Sequence, residues 1–390
     1  MREGWARVAF GDVVRLSRER SSDPITDGFD RYVGLEHLDP GDLKIRRWGN
    51  TADGTTFTNI FRPGQILFGK RRAYQRKVAV AEFSGVCSGD IYAFEVSDPR
   101  LLPGLLPFVC DSDTFAHHAV ETSAGSLSPR TNWASLAEFR FHLPPMEEQA
   151  RLLDAFESVR QGTEALYVLQ ERIGVVRAAL SDSVHESSAG DEVEIGDLIA
   201  TRSISLQTGP FGTVLRASSY SATGHPLINP VDMDGGEIRA DRAARVDDEV
   251  WRRLEKYWIR GGDLLLGRKR HMRNLVLAKP EHDGFIVGSD SIRIRVQGDV
   301  IDSRYLFHLL RSKKTQHWLQ TQAAGNGTVM PGMNEQILGR LRIWLPPVAR
   351  QREIAALHQT TEEASALVDA RRDAVRGLIG RLSDLSLGVM

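Results

Sequence analysis

The sequence predicts an α+β protein built from two related halves, each a sheet-rich domain followed by one long helix. Two observations support this prediction. Blocks of sequence recur at a spacing near 200 residues, and each half changes once from turn-rich sequence to a long segment without proline. With 390 residues the chain is also too long for one ordinary domain, because single hydrophobic cores stop growing at about 250–300 residues.

The recurring blocks keep the same order in both halves. Residues 141–149, Phe-His-Leu-Pro-Pro-Met-Glu-Glu-Gln, align with residues 343–351, Ile-Trp-Leu-Pro-Pro-Val-Ala-Arg-Gln, and 64–72 align with 262–270. Further matches are 10–14 with 195–199, Asp90 and Val96 with Asp290 and Val296, and Pro129, Asn132 and Leu136 with Pro331, Asn334 and Leu338. A repeat this long indicates two homologous halves rather than a solenoid of short repeats.

Two segments, 146–189 and 348–390, are predicted as long helices. Each follows a Pro-Pro pair, which is compatible with a helix start and unfavourable inside a helix. Apolar residues recur in both at spacings of three and four: Leu152, Phe156, Val159, Leu166, Ile173, Leu180 and Val184 in the first, and Ile354, Leu357, Ala364, Val368, Val375, Leu378, Leu382 and Leu385 in the second. A single helix cannot bury such a stripe, so each is expected to pair with its duplicate in a coiled coil.

The remaining segments, 1–145 and 190–347, are predicted as the sheet-rich domains. They contain many turn residues and short apolar runs, such as 77–81 and 91–96. Residues 291–296, Ser-Ile-Arg-Ile-Arg-Val, alternate apolar and charged side chains. This alternation predicts a strand with one buried face.

Composition excludes several broad classes of protein. Fifty Lys and Arg oppose 51 Asp and Glu, for a net charge of −1, which excludes a uniformly basic surface but permits local basic patches. Two cysteines without a paired motif are typical of a reducing compartment. We find no secretory signal and no apolar run of membrane-spanning length, so we expect a cytoplasmic protein with no membrane segment.

Motifs for catalysis and metal binding are incomplete. Residues 64–71 resemble a phosphate-binding loop, but Arg71 stands where that motif needs Ser or Thr, and Arg268 replaces the lysine in the second copy. Asn229-Pro-Val lacks the second proline and the aromatic residue of adenine methyltransferases. The adjacent His117 and His118 favour a loop over a metal site. We therefore predict no catalytic and no metal-ligating residues.

Two basic turns are the candidate DNA-binding residues. The candidates are Lys70, Arg71, Arg72, Tyr74, Gln75, Arg76 and Lys77 in the first copy, and Arg268, Lys269, Arg270, Arg273 and Asn274 in the second. Lys and Arg neutralise phosphates, and Arg, Gln and Asn can read base edges with two hydrogen bonds. One such turn alone could be a solvated surface loop, but both copies carry cations at the same place. Residues 128–132 and 325–328 could contact DNA or serve only as turns.

Taken together, these segments resemble the specificity subunit of type I restriction–modification systems, over essentially the whole chain. The resemblance is carried by the repeated Leu-Pro-Pro with Gln149 and Gln351, the helix after each, and the Gly-Gln-Ile-Leu and Gly-Asp-Leu-Leu runs before the basic turns. Residues 206–213, Leu-Gln-Thr-Gly-Pro-Phe-Gly-Thr, also resemble a segment near the start of such target-recognition domains. The first half lacks that segment, so the two domains should read different half-sites.

The resemblance implies a division of labour within a phage-defence complex. Residues 1–145 and 190–347 would be target-recognition domains, and 146–189 and 348–390 would be spacer helices paired antiparallel in a pseudo-two-fold arrangement. The chain would read a bipartite, asymmetric site in double-stranded DNA. It would itself hold no cofactor: adenine methyltransferase subunits would carry S-adenosylmethionine, and a restriction and translocase subunit would use ATP and magnesium. Two alternatives stay open: a two-headed coiled-coil scaffold for protein interactions without DNA specificity, and an enzyme acting alone.

Overall fold

The computed structural model describes residues 4–183, 190–212, 214–268, 274–324 and 332–386. Within them the chain forms two units. Unit 1 comprises Met1–Leu169 with Leu367–Met390, and unit 2 comprises Gln170–Ala366.

The first half of the chain holds short strands and one long helix. Its strands are β1 (Ala6–Ala9), β2 (Val14–Leu16), β3 (Arg31–Val33), β4 (Gly49–Asn50), β5 (Asn59–Phe61), β6 (Ile66–Gly69), β7 (Val78–Val80), β8 (Gly85–Cys87), β9 (Ile91–Val96) and β10 (Arg140–Leu143). Its helices are α1 (Phe10–Val13), α2 (Leu106–Cys110), α3 (Asp113–Glu121), α4 (Trp133–Ala137) and α5 (Met146–Ser183).

The second half likewise holds short strands and one long helix. Its strands are β11 (Asp191–Glu194), β12 (Ile204–Thr208), β13 (Tyr220–Ser221), β14 (His225–Ile228), β15 (Met233–Asp234), β16 (Glu237–Ile238), β17 (Ala244–Val246), β18 (Leu264–Gly267), β19 (Leu275–Leu277), β20 (Ile286–Val287), β21 (Ser291–Val296) and β22 (Arg342–Leu345). Its helices are α6 (Ile195–Ala200), α7 (Asp248–Arg253), α8 (Ser303–Arg311), α9 (Lys313–Ala324), α10 (Glu335–Gly339) and α11 (Val348–Ser386).

Two of the three main sheets have the same topology in both units. Unit 1 contains an antiparallel β1-β10 pair, an antiparallel sheet in the order β2-β9-β6-β7, and a sheet in the order β4-β3-β8-β5 with β3 and β8 parallel. Unit 2 repeats the first two as β11-β22 and β12-β21-β18-β19. Its third sheet, β13-β17-β14-β20, also has one parallel pair, β14 and β20, but this pair lies at the edge of the sheet rather than in its middle, and unit 2 adds the β15-β16 pair. The predicted duplication of one α+β unit is confirmed by this correspondence.

Corresponding helix starts use the same capping residue. The Asn132 side chain accepts a hydrogen bond from the backbone of Ser135 at the start of α4, and Asn334 accepts one from Ile337 at the start of α10. A side-chain oxygen at this position satisfies one of the backbone N–H groups that a helix start leaves without a partner. The recurrence of Asn132 as Asn334 in the sequence therefore has a structural cause.

Two sequence-based expectations were wrong. His117 and His118 lie in α3, not in a loop, and the His118 ring nitrogen Nε2 is 2.8 Å from the Ser135 carbonyl oxygen. β21 was expected to bury one face, but its Arg293 side chain is also buried. Buried guanidinium groups need hydrogen-bond acceptors, and Arg293 donates to the Lys256 and Trp258 carbonyls at 3.1 and 2.5 Å.

Both long helices begin directly after the Pro-Pro pairs, at Met146 and Val348. In unit 1, Phe156 of α5 stacks on Phe108 with ring centroids 4.2 Å apart, and Ile379 of α11 packs against the same core. Further along, the Tyr167 ring of α5 lies 3.9 Å from the Arg372 guanidinium of α11. Higher residue numbers on α5 thus meet lower numbers on α11, so the pairing is antiparallel.

Unit 2 contains the C-terminal part of α5 and the N-terminal part of α11, and these parts also pair antiparallel. Gln170 Nε2 donates to Ser365 Oγ at 2.7 Å, and Arg177 lies 3.8 Å from Glu362. The predicted antiparallel pairing of the long helices is therefore confirmed within each unit. Each unit includes parts of both helices, and the four-segment division drawn from the sequence stays a prediction. None of the helices in the described ranges carries an apolar stretch long enough to cross a lipid bilayer.

A buried glutamine joins each long helix to its sheets. In unit 1, Gln149 Oε1 accepts a hydrogen bond from the Leu102 backbone N–H at 2.9 Å. Its Nε2 donates to the carbonyl oxygens of Arg100 and Pro144 at 2.7 and 2.8 Å. All three bonds tie the first turn of α5 to backbone of the surrounding chain, and Gln149 is 1% exposed.

Unit 2 repeats this junction with Gln351 in α11. Its Oε1 accepts from the Asp302 backbone N–H at 2.8 Å. Its Nε2 donates to the carbonyl oxygens of Val300 and Pro346 at 3.0 and 2.8 Å. The glutamine that follows each Leu-Pro-Pro in the sequence is thus a structural junction in both copies.

We expect Gln149→Ala and Gln351→Ala each to lower the free energy of unfolding by about 1–3 kcal/mol, because each leaves buried backbone groups without a partner. Urea denaturation of the full chain measures the change. Gln359→Ala is the matched control, since Gln359 is exposed and bonds only to Glu363 on the same helix. Equal, small changes in all three variants would contradict the structural role of the junction.

Unit 2 also buries a pair of stacked histidines. The rings of His308 on α8 and His358 on α11 lie with centroids 4.4 Å apart and planes 12° apart. Burial, followed by the neighbouring His358 and the charges of arginines that include Arg311, lowers the pKa of His308 to about 3. Burial, followed by Arg177 and Arg311, also lowers the pKa of His358.

The unfolding free energy should therefore fall as the pH drops below about 6.5, because unfolded histidines bind protons there while this buried pair does not. For His308 the loss continues down to about pH 3. His308→Phe should reduce the pH dependence of the urea midpoint between pH 7.5 and 5.5. Exposed His317→Phe is the control, and an unchanged slope in His308→Phe would refute this assignment.

Candidate nucleic-acid interface

The first basic turn connects the antiparallel strands β6 and β7. Its centre is a single 3-10 turn, Ala73–Gln75, flanked by Arg72 and Arg76 with φ angles of 55° and 52°. Both arginines occupy the left-handed region, which costs non-glycine residues conformational energy. The turn therefore has one defined backbone shape on the edge of a sheet.

A second loop, residues 128–132, lies against this turn. The Arg72 backbone N–H donates to the Pro129 carbonyl at 2.7 Å, and the Thr131 N–H donates to the Lys70 carbonyl at 3.1 Å. Both Arg71 Nε and Arg72 Nε donate to Ser128 Oγ, at 2.7 and 3.2 Å. The structure thus brings together two segments that the sequence suggested separately.

One carboxylate holds an arginine from each segment. Asp90, which precedes β9, accepts hydrogen bonds from Arg71 Nη1 at 3.3 Å and from Arg130 Nε at 2.8 Å. Burial raises the pKa of the Asp90 carboxyl. The hydrogen bonds and charges of Arg130 and Arg71 lower that pKa by more than burial raises it, so the net shift is downward. Asp90 is therefore a stable anion between the two guanidinium groups.

The candidate residues of the first turn divide into outward and inward groups. Arg72 and Tyr74 are exposed, Tyr74 to 57%. Lys70, Arg71 and Gln75 are half-buried, with the Lys70 ammonium 4.6 Å from the Tyr92 ring centre. The outward group is available to a ligand as the structure stands.

Arg76 and Lys77 point into the protein instead. The Arg76 guanidinium donates to the Asp113 carboxylate and to the Asp111 carbonyl, and it lies 3.8 Å from the Asp111 carboxylate. Burial raises the pKa of Asp111 to about 6, against the opposing charge of Arg76. Lys77 Nζ donates to the Leu35 carbonyl at 2.5 Å. These two cations hold the turn rather than present charge to a partner.

The second basic turn is described only at its two ends. Arg268 Nε donates to the Met333 carbonyl at 3.0 Å, and Asn274 Nδ2 donates to the Pro230 carbonyl at 2.7 Å. Lys269, Arg270 and Arg273 lie outside the described residues, as do residues 325–328.

The two turns share their backbone framework. The Lys70 N–H donates to the Asp90 carbonyl at 2.9 Å, and the Arg268 N–H donates to the Asp290 carbonyl at 2.8 Å. Lys77 and Asn274 each bond to the first residue of a 3-10 turn, Leu35–His37 and Pro230–Asp232. The ends of both turns are therefore held by the same backbone framework.

The 206–213 segment also has a structural basis in unit 2. Thr208, at the end of β12, donates from its backbone N–H and its hydroxyl to Glu335 Oε1 at 3.1 and 3.0 Å. A Cβ added to Gly209 would lie 1.9 Å from the Gly288 carbonyl oxygen, so only glycine fits there. Phe211 follows with 67% of its surface exposed, which makes it a further candidate contact.

Sequence reasoning did not assign a role to Asp90 or identify the Asp90–Arg130 pair. The available signal was that Asp90 recurs as Asp290 in the second copy. No group of three or more His, Cys, Asp or Glu side chains among the described residues is placed to hold a metal ion.

No model of a protein family matches the chain. The chain is 26% identical over 166 residues to the specificity subunit of the type I restriction enzyme EcoDI from Escherichia coli, covering 40% of this chain and 34% of that protein. It thus matches about a third of the length of this curated relative.

Solved structures match over nearly the full length. The S subunit of a type I restriction–modification system from M. genitalium covers 98% of this chain and 96% of its own, with a TM-score of 0.57 and 12% identity. This chain has the fold of a type I specificity subunit. A chain from a study of complex assembly and conformational transition in a type I system covers 99% and 97%, with a TM-score of 0.57 and 18% identity. The resemblance predicted from the sequence is confirmed.

For this specificity-subunit fold, we expect Arg76→Ala to lower the unfolding free energy by about 1–3 kcal/mol, because the buried Asp111 loses its cation and its carbonyl loses a hydrogen-bond donor. Arg72→Ala should change it by less than about 0.5 kcal/mol, since that side chain is exposed. Urea denaturation at pH 7.5 compares the two variants. Equal losses would show that the inward and outward groups have been assigned wrongly.

Proposed function

We propose that this chain is the DNA sequence-recognition subunit of a type I restriction–modification complex. The observation that carries the proposal is the rigid basic turn of unit 1, on a chain with the fold of type I specificity subunits. The turn presents Arg72 and Tyr74 outward while Arg76 and Lys77 hold it from within. The partial match to a curated specificity subunit supports the same function.

The exposed side chains suit double-stranded DNA. Arginine neutralises phosphates and can also donate two parallel hydrogen bonds to the major-groove edge of guanine. Arg71 and Arg130 approach each other through Asp90, and Arg72 adds a third cation at the same surface. A cluster of this kind concentrates positive charge locally on a chain whose net charge is −1.

We propose further that the two units read different halves of a bipartite, asymmetric site. Their frameworks correspond, but the side chains on them differ. Lys70 of the first basic turn is replaced by Arg268 in the second, and unit 1 lacks the 206–213 segment that carries the exposed Phe211 in unit 2. Different side chains on one scaffold would give different sequence preferences.

The proposed partners are those of a type I complex. Adenine methyltransferase subunits would supply S-adenosylmethionine, and a restriction and translocase subunit would supply ATP and magnesium chemistry. This chain would contribute recognition and hold neither cofactor. We place the complex in the cytoplasm, where its DNA substrate and nucleotide cofactors are found.

A selection from random duplex DNA tests this function, using the full chain together with the subunits that co-purify with it. The wild type should enrich a split site with two defined half-sites at physiological salt. Arg71→Ala with Arg72→Ala should weaken or relax one half-site only, because both residues belong to unit 1.

Arg100→Ala with Arg151→Ala is the matched control, since it removes two exposed cations of unit 1 away from the turn. It should leave both half-sites unchanged. Enrichment of no sequence by the wild type would overturn the proposed function and favour a scaffold for protein interactions. DNA cutting or methylation by the chain alone would favour an enzyme. Equal loss at both half-sites would refute the bipartite assignment.

A further inference from the structure

Asp90 connects two arginines that come from different loops and are 59 residues apart in the sequence. Arg71 leaves the end of β6 and donates to Asp90 Oδ2, while Arg130 precedes α4 and donates to Asp90 Oδ1. Arg71 and Arg130 also form a β-bridge through their backbones. The pair is therefore fixed at both the main chain and the side chain.

The outer edges of these guanidinium groups remain available. Arg130 uses only Nε in its bond to Asp90, and within the described ranges no residue accepts a hydrogen bond from its Nη1 or Nη2. The Arg130 side chain is 53% exposed, and that of Arg71 is 38% exposed, whereas Asp90 is 19% exposed. The carboxylate thus sits behind the two cations, on the side away from solvent.

The backbone of Asp90 also belongs to the turn. Its carbonyl oxygen accepts a hydrogen bond from the Lys70 N–H at 2.9 Å, and its own N–H donates to Ser88 Oγ at 3.2 Å. The carboxylate therefore has a position set by the sheet rather than by solvent. An arginine bonded to it adopts one orientation relative to β6 and β9.

We infer that Asp90 is a positioning residue that holds Arg130, with Arg71 beside it, to read one guanine in the half-site recognised by unit 1. This inference rests on the proposed function. The Nη1 and Nη2 groups of Arg130 would donate to O6 and N7 of that guanine. Asp90 would touch no base and would act only by fixing the orientation of the guanidinium groups.

The requirement for a fixed guanidinium orientation distinguishes a guanine ligand from a phosphate ligand. Two donors must meet O6 and N7 together, so base reading requires a guanidinium held in a defined plane. Phosphate contacts need charge but tolerate many orientations, and an exposed arginine such as Arg72, whose Nε bonds to a hydroxyl rather than to a carboxylate, serves them equally well. A carboxylate behind Arg130 lowers its net attraction for phosphate but improves its geometry for a base edge.

The experiment measures binding of the full chain, with its co-purifying subunits, to the selected site and to variants with each base pair replaced. Arg130→Lys keeps the positive charge but loses the planar fork of donors. It should reduce the preference for guanine at one position by about tenfold, with the other positions unchanged. Asp90→Asn should give a smaller loss at that same position, because its amide can accept from only one of the two arginines.

The double variant Arg130→Lys with Asp90→Asn should lose no more of the preference for guanine than Arg130→Lys alone, because Asp90 acts through Arg130. Arg100→Lys is the matched control: the Arg100 side chain is also 53% exposed and is bonded to a carboxylate, Asp98. It should leave every position unchanged. Thermal melting of each variant separates lost specificity from lost folding.

Three results would overturn the inference while leaving the proposed function intact. The first is an equal loss of affinity for all sequences in Arg130→Lys with a shallower salt dependence, which would indicate a phosphate contact. The second is an unchanged base preference in Arg130→Lys. The third is a loss of preference in Asp90→Asn at a different base pair. Absence of any preferred site for the wild type would instead overturn the proposed function itself.

Discussion

The structure depends on how each long helix is joined to its sheets. The helices α5 and α11 have 38 and 39 residues, so a small change in the direction of the first turn becomes a large displacement at the far end. In each copy one glutamine amide, Gln149 or Gln351, bonds to backbone on both sides of the junction. Because both donors and the acceptor of that amide are used, the first turn of the helix has one direction relative to the strands. The Pro-Pro pair before it limits the approach of the chain in the same way.

In the basic turn of unit 1, as at the helix junctions, hydrogen bonds fix the position of the backbone. Its cations are not equivalent, although the sequence presents them as one run. Arg76 and Lys77 satisfy acceptors inside unit 1, and this internal bonding lets Arg72 and Tyr74 face solvent from a rigid base. In unit 2, Asn274 bonds to a backbone carbonyl at the place that corresponds to Lys77, and Arg268 bonds to the Met333 carbonyl at the other end of the turn. A turn built like this can change its outward side chains without changing the backbone that carries them.

The architecture could be predicted from the sequence because the residues that recur in both halves have structural roles. Leu-Pro-Pro with its glutamine, the capping Asn132 and Asn334, and the strand before each basic turn recur for physical reasons, and their recurrence reveals the duplication. The direction of side chains within the turn could not be predicted, because it depends on Asp111 and Asp113, about 35 residues away in the chain. The burial of Arg293 was missed for a similar reason: its acceptors are carbonyls of a separate loop. The residues assigned to DNA contact, including those outside the described ranges, remain predictions.

The left-handed backbone at Arg72 and Arg76 has an energetic consequence for ligand binding. Glycine would adopt these angles freely, whereas arginine holds them at a cost that the folded chain must offset. The Arg76 side chain bonds to Asp111, which is buried, and to Asp113, whereas the Arg72 side chain bonds to the Ser128 hydroxyl. The main chain at Arg72 is thus already confined before any ligand arrives, so less conformational entropy is lost on association. Preorganisation of this kind lowers the entropic cost of binding, because the backbone conformation does not have to be selected when a ligand binds.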